Sequence, residues 1–264
     1  MASARFDEVW AIDWSGARGR LRGIAVARIA SADTAPELLC PPSGPYWTRG
    51  AVVERLAAAI LEGRRILAGF DFAFGLPVEM LAPLGLGACR DLPDLWLEVD
   101  RVCDGAPDMH GGKFVEAAPP GLFWTRGARP PGWIGAMRLT DTRCAETTAA
   151  RPESVMKLVG AKQVGLAALA GMRSLAALRR ACGARLAIWP ADTTDRPSVA
   201  VEMFPTLYRR AATGRSDKLR DAAALADTLA YHGCAAARLD VIPSDDETDA
   251  LVSAAGLRQS VCRG

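Results

Sequence analysis

Residues 8–14 read EVWAIDW. The alternation is that of a buried β-strand: on a period of two, Val9, Ala11 and Asp13 share one face, and Trp10, Ile12 and Trp14 share the other. The run stops at an acid, and Ser15-Gly16 follows as a turn. Two later apolar runs end in the same sequence of small residue, apolar residue and acid. Ala11-Ile12-Asp13 is matched by Gly69-Phe70-Asp71 and by Ala200-Val201-Glu202. What separates these runs decides the fold class.

Working outward, Leu21 to Ile29 reads as a second strand, hairpin-connected to the first, and Glu37 to Cys40 as a short third strand stopped by Pro41-Pro42. Ala51 to Leu61 has helical spacing, with Val52, Leu56, Ala59 and Ile60 on one side and Gly63 as its terminator. Ile66 to Asp71 is the next strand, reached by a right-handed crossover. Residues 72–196 hold many prolines and glycines, including Pro119-Pro120-Gly121 and Pro130-Pro131-Gly132, with a helix at Leu166 to Cys182 and a short strand at Ala187 to Trp189. That stretch reads as an insertion or cap between two core strands. Val199 to Phe204 is the following core strand, closed by Pro205. Asp217 to Tyr231 reads as an Ala/Leu-rich helix, and Asp249 to Gln259 lies in a last helix. Strands alternating with helices make the class α/β, and 264 residues, half of them hydrophobic, suit one domain with a large insertion.

The last helix opens with Pro243-Ser244-Asp245-Asp246-Glu247, where Ser244 and Glu247 have capping-box spacing. Asp246 and Asp249 are three apart, so they share a helical face that Ala250, Ser253 and Leu257 continue. Each acid has an ordinary explanation. Asp13 before Ser-Gly is common turn chemistry, Asp71 closes a strand as an Asx-turn would, Asp246 and Asp249 suit a helix dipole, and Glu202 pairs with an Arg of the insertion. Taken together they suggest more. The small residues Ala11, Gly69 and Ala200 leave room beside each strand acid, and ligands of open α/β sheets gather at strand carboxyl ends. Clustered carboxylates repel one another unless cations or protons neutralise them. Hard oxygen ligands with no nearby His or Cys point to Mg²⁺ or Mn²⁺.

Other classes are excluded. A net charge of +2 says little about partners. All basic residues are Arg except Lys113, Lys157, Lys162 and Lys218; Arg suits bidentate phosphate contact, and a GC-rich genome produces the same bias. Seven scattered cysteines without a CxxC pair fit reduced thiols and a cytoplasmic location, and His110 and His232 cannot assemble a His-rich zinc site. The opening MASARFDEVW has no signal-peptide core, and no apolar run is long enough for a membrane span. Gly160-Ala161-Lys162 and Gly111-Gly112-Lys113 both fail the phosphate-loop pattern, Gly85-Leu86-Gly87 fails the dinucleotide pattern, and no GxSxG occurs.

The order strand-Asp13, strand-Asp71, final helix with Asp246 and Asp249 resembles the Holliday-junction resolvase branch of the ribonuclease H-like superfamily. More narrowly, AIDWSG (11–16), GFDFAFGLP (69–77), KLVGAKQVG (157–165), VEMFP (201–205) and DETDALVSA (246–254) resemble domain-of-unknown-function family 429, predicted ribonuclease H-like nucleases. The resemblance implies a mixed five-stranded sheet, three strands antiparallel and two parallel, with helices on both faces and the insertion between strands four and five. It implies Asp13, Asp71, Asp246 and Asp249 as catalytic, metal-binding acids, with Glu202 as an additional acidic position. Asp71 stands where resolvases usually carry Glu.

Two metals about 3.5–4 Å apart, bridged by Asp13, would hydrolyse a phosphodiester. Basic residues of the insertion, interleaved with Phe114, Phe123, Trp124 and Trp133, suit phosphate contact and base stacking. Lys113, Arg126, Arg138 and Lys162 are the substrate-binding candidates, and a solvated Arg face over a satellite core is the plain alternative. The expected function is a metal-dependent nuclease acting on DNA or RNA. The rivals are an inactive nucleic-acid or nucleotide binding module on the same scaffold and a small-molecule phosphotransferase.

Overall fold

A computed structural model describes residues 5–19, 23–30, 34–160, 163–237, 239 and 243–263. The start of the expected second strand, at Leu21, lies outside the described residues. The strands are β1 (Glu8–Asp13), β2 (Ala25–Ala30), β3 (Glu37–Leu38), β4 (Ile66–Phe70), β5 (Leu186–Ile188) and β6 (Ser198–Glu202). The α-helices are α1 (Arg49–Leu61), α2 (Val78–Leu81), α3 (Leu92–Val102), α4 (Gly112–Ala117), α5 (Leu139–Thr148), α6 (Gly165–Cys182), α7 (Pro205–Thr213), α8 (Ala222–Tyr231) and α9 (Asp245–Arg263).

The strands form one mixed sheet in the order β3-β2-β1-β4-β6-β5. The pairings β3-β2 and β2-β1 are antiparallel; β1-β4, β4-β6 and β6-β5 are parallel. The sheet therefore has six strands rather than the five expected. The extra one is β5, a short edge strand of three buried residues, Leu186, Ala187 and Ile188, set against β6.

The chain divides into two compact units. One comprises residues 1–14, 21–71 and 181–264; the other comprises residues 15–20 and 72–180. The inserted unit thus stops well before residue 196, because β5 is claimed by the sheet. In the second unit, buried Trp96 donates its indole N–H to the Phe74 carbonyl at 2.7 Å. Arg173 donates to Asp100 at 2.9 Å and to the His110 carbonyl at 3.0 Å, which ties α6 to α3 and the α4 approach.

Local chemistry sets the helix limits. Thr48 caps α1 by accepting from the Ala51 N–H at 3.0 Å, and Gly63, at φ +96°, follows its end. Asp221 caps α8 by accepting from the Ala224 N–H at 2.7 Å, so the helix begins at Ala222 and residues 217–220 are outside it. Pro205 does not merely close β6: it stands in the first turn of α7, where its missing N–H costs nothing. The capping box of α9 is formed, with Glu247 N–H to Ser244 Oγ at 3.2 Å and Ser244 N–H to Glu247 Oε2 at 2.7 Å.

On one face of the sheet, Val9, Ala11, Ala27, Leu67 and Val199 bury against Ala250, Leu251, Ala254 and Ala255 of α9, joined by Leu225 and Leu229 of α8. Small residues let the helix lie close. A Cβ added at Gly69 would come 2.4 Å from Leu257 Cδ1, and one added at Gly256 would come 2.2 Å from the Tyr208 ring of α7. Among the described residues no helix is long and apolar enough to cross a membrane.

The Gly256 contact gives a stability test. Ala is favoured over Gly in a helix by about 1 kcal/mol, but the added methyl would sit 2.2 Å from an aromatic ring atom, an overpacking cost at the upper end of the usual range, about 2–3 kcal/mol. Gly256→Ala is expected to lower stability to urea by about 1–2 kcal/mol net. A variant as stable as the parent would contradict this packing of α7 on α9.

Candidate functional site

The β1-β4 ladder pairs Ala11 with Gly69 and Ile12 with Phe70. It continues one step further, since the Asp71 N–H donates to the Ile12 carbonyl at 3.0 Å. Asp13 and Asp71 therefore leave neighbouring parallel strands side by side, on the face that carries α9. The capping box fixes where α9 starts and so places Asp246 and Asp249 at its first turn and just beyond. Asp13 and Asp249 are buried; Asp71 and Asp246 are half-buried.

The carboxyl groups meet. The Asp13 carboxyl lies close enough to those of Asp71 and Asp246 to interact with each. Two such carboxyls can hydrogen-bond only when one of them carries a proton, since ionised carboxylates only accept. Burial, and after it the charges of Asp71, Asp249 and Asp246, push the Asp13 carboxyl well above the usual range. Burial and the Asp249 charge push Asp71 up to about 7, against the opposing influence of the Asp13 hydrogen bond, Lys218 and Arg209. Asp246 is raised by burial foremost, with Lys218 working in the other direction.

Asp249 is held differently. Its Oδ1 accepts from Arg209 Nη1 of α7, and its Oδ2 accepts from Lys218 Nζ of the segment before α8. Arg209 is 3% exposed and also donates to Thr206 Oγ1 at 3.1 Å. Among the described residues, no group of three or more His, Cys, Asp or Glu side chains is arranged to hold a metal ion as they stand. Both oxygens of Asp249 are taken by the two cations.

Glu202 does not join this cluster. The β4-β6 ladder pairs Gly69 with Val201 and Phe70 with Glu202. The repeated small-apolar-acid pattern is therefore out of step by one residue on β6, and a one-residue offset turns a side chain to the opposite face. Glu202 lies on the face of Ile12 and Phe70, where Trp14 meets the Phe70 ring edge-on at 5.9 Å.

The candidate substrate-binding residues belong to the second unit. Lys113 donates to the Asp104 carbonyl, and Arg126 is exposed. Arg138 is bonded at the start of its own helix. Its guanidinium grips Asp141 with two bonds, 2.8 and 2.6 Å, and is 11% exposed, which secures the start of α5. Lys162 lies outside the described residues. Phe114 and Phe123 are buried edge-to-face, a satellite core. Trp124 and Trp133 are half-buried and 5.4 Å apart, with Arg129 over Trp133 at 5.1 Å and Lys157 over Trp124 at 5.8 Å. His232 is structural, its ring bridging Gln259 and the Tyr208 carbonyl at 3.1 Å each.

The sequence reading missed Arg209 and Lys218. Lys218 left a trace: it is one of only four lysines among 32 basic residues. Arg209 left none, because it sits in a helix that was not foreseen. No protein-family model, curated protein or solved structure matches the chain.

The raised carboxyls carry a pH dependence. Between the unfolded value near 4 and the folded value of about 7, the folded state holds the Asp71 proton and the unfolded state has lost it. Stability from this group is therefore greatest at low pH and falls as pH rises through that window. In EDTA, Asp71→Asn is expected to gain stability relative to the parent at pH 8 and to lose that advantage at pH 5, measured by urea denaturation. An equal difference at both pH values would contradict the raised carboxyl.

Proposed function

We propose that the chain is a divalent-metal-dependent nuclease on a ribonuclease H-like sheet, related to domain-of-unknown-function family 429. Three antiparallel strands followed by parallel ones, with an acid at the end of β1, support the fold part of this reading. The observation that carries the chemistry is the convergence of Asp13, Asp71, Asp246 and Asp249, with Lys218 and Arg209 as the cations bonded to Asp249. Fully ionised, the cluster is two positive charges short of neutral.

The donor set fits Mg²⁺ or Mn²⁺, being carboxylate oxygens alone. Asp13, Asp71 and Asp246 would hold the ion, and Asp249 would join them only by releasing one of its cationic partners. When bound, such an ion supplies an activated water and stabilises charge on the leaving oxygen of a phosphodiester. Protonation of the raised Asp13, Asp71 and Asp246 carboxyls would offset the same repulsion in place of the ion, and loss of those protons would free the oxygens as ligands. Arg209 fixes Asp249 from the buried side. In the second unit, exposed Arg126 and the Trp124-Trp133 pair suit phosphate contact and base stacking.

The engagement of both Asp249 oxygens favours one rival, a nucleic-acid binding module in which protons and side chains neutralise the acids without metal. Asp13→Asn is expected to reduce Mg²⁺- or Mn²⁺-dependent cleavage of DNA or RNA oligonucleotides to background while far-ultraviolet circular dichroism stays unchanged. Undiminished cleavage by the variant would refute the assignment. Oligonucleotide binding in EDTA, with no cleavage by the parent at any Mn²⁺ concentration, would select the rival.

A further inference from the structure

Resting on the metal-site reading above, we infer that Lys218 is a built-in cation of the carboxylate pocket, taking the place of a second divalent ion, so that the chain binds one such ion and not two. The placement is a consequence of where α8 begins. Because Asp221 caps that helix, Lys218 stands three residues before the cap on non-helical chain, and its ammonium reaches Asp249, 31 residues later. The nearer acids are otherwise engaged: Asp217 pairs with Arg215 at 2.9 Å, and Asp221 accepts the Ala224 N–H. Asp245, at the start of α9, is approached by Arg220 at 3.8 Å.

The pairing has two effects. With Arg209 on Oδ1 and Lys218 on Oδ2, both oxygens of Asp249 are occupied, and Asp249 is closed to a metal while Lys218 remains. The Lys218 charge also opposes the mutual repulsion of Asp13, Asp71 and Asp246, acting on every carboxyl of the cluster. With Lys218 and Arg209 in place, one divalent ion brings the ionised cluster to neutrality, and a second would leave it two charges positive in a largely buried pocket. Without Lys218 the deficit is three charges, which one divalent ion leaves unmet. The Lys218 side chain is 36% exposed at the mouth of the pocket, so its replacement leaves the core untouched.

The test is calorimetric titration of the full chain with MnCl₂, for the parent, Lys218→Met and Lys218→Arg, each first shown by thermal melting in EDTA to be folded. The parent and Lys218→Arg are expected to take one Mn²⁺ per chain. Lys218→Met is expected to take a second, or to take one at least tenfold more tightly. Two ions on the parent, or a Lys218→Met titration superimposable on the parent's, would overturn the role of Lys218 and leave the metal site standing. No Mn²⁺ uptake by any of the three proteins would overturn both.

Discussion

Repulsion between carboxyls withdrawn from water is the constraint around which this structure is arranged. Asp13 and Asp71 leave adjacent parallel strands in register, and a buried pair of like charges is unfavourable in any protein. The fold adds Asp246 and Asp249 to them by seating α9 on the same face. That seat depends on small residues: Ala11 and Gly69 on the strands, Ala250, Ala254 and Gly256 on the helix. A bulkier set would hold the helix off the sheet and separate its acids from those of the strands. The packing that builds the core thus also creates the electrostatic cost.

Three devices offset it. Protonation is favoured on Asp13, Asp71 and Asp246, all three of which are raised by burial. Arg209 and Lys218 divide the two oxygens of Asp249. The N-terminal turn of α9 presents its dipole to Asp246. A proton is the device that yields most readily to a cation, because Asp71 loses its proton as pH rises through about 7. The proposed metal chemistry lives in that exchange. Breaking the Arg209 pair is a different matter, since an uncompensated buried charge costs about 3–5 kcal/mol. Arg209 is therefore part of the framework, and Lys218, at the pocket mouth, is the adjustable element.

Much of this frame was legible in the residues. Alternation placed Asp13 with Ala11 and Val9, the Ser244-Glu247 spacing marked the start of α9, and the helical run before Gly63 marked α1. What failed did so for identifiable reasons. Glu202 fits the strand-end pattern, but register is a property of the ladder between strands, and one residue of offset sends it to the other face. Pro205 reads as a stop and serves as a helix start, which hid α7 and with it Arg209. The Ala/Leu pattern of α8 runs back to Asp217 by composition, yet the Asp221 cap wins locally and frees Lys218 from the helix. The pairing of Arg138 with Asp141, which occupies its guanidinium with two bonds, was likewise not foreseen. In each case the deciding partner lies in a contact that sequence order does not display.

The central claim is that Asp13 and Asp71 share one pocket and cannot both ionise freely there. Carbon-13 NMR of aspartate-labelled protein, titrated from pH 3 to 9 in EDTA and assigned with Asp→Asn variants, reads this directly. The account predicts that the Asp13 and Asp71 side-chain carboxyl signals titrate late, Asp71 at about 7, and that each shifts when the other is replaced by Asn. Independent titrations of both near pH 4, unaffected by replacement of the neighbour, would contradict it.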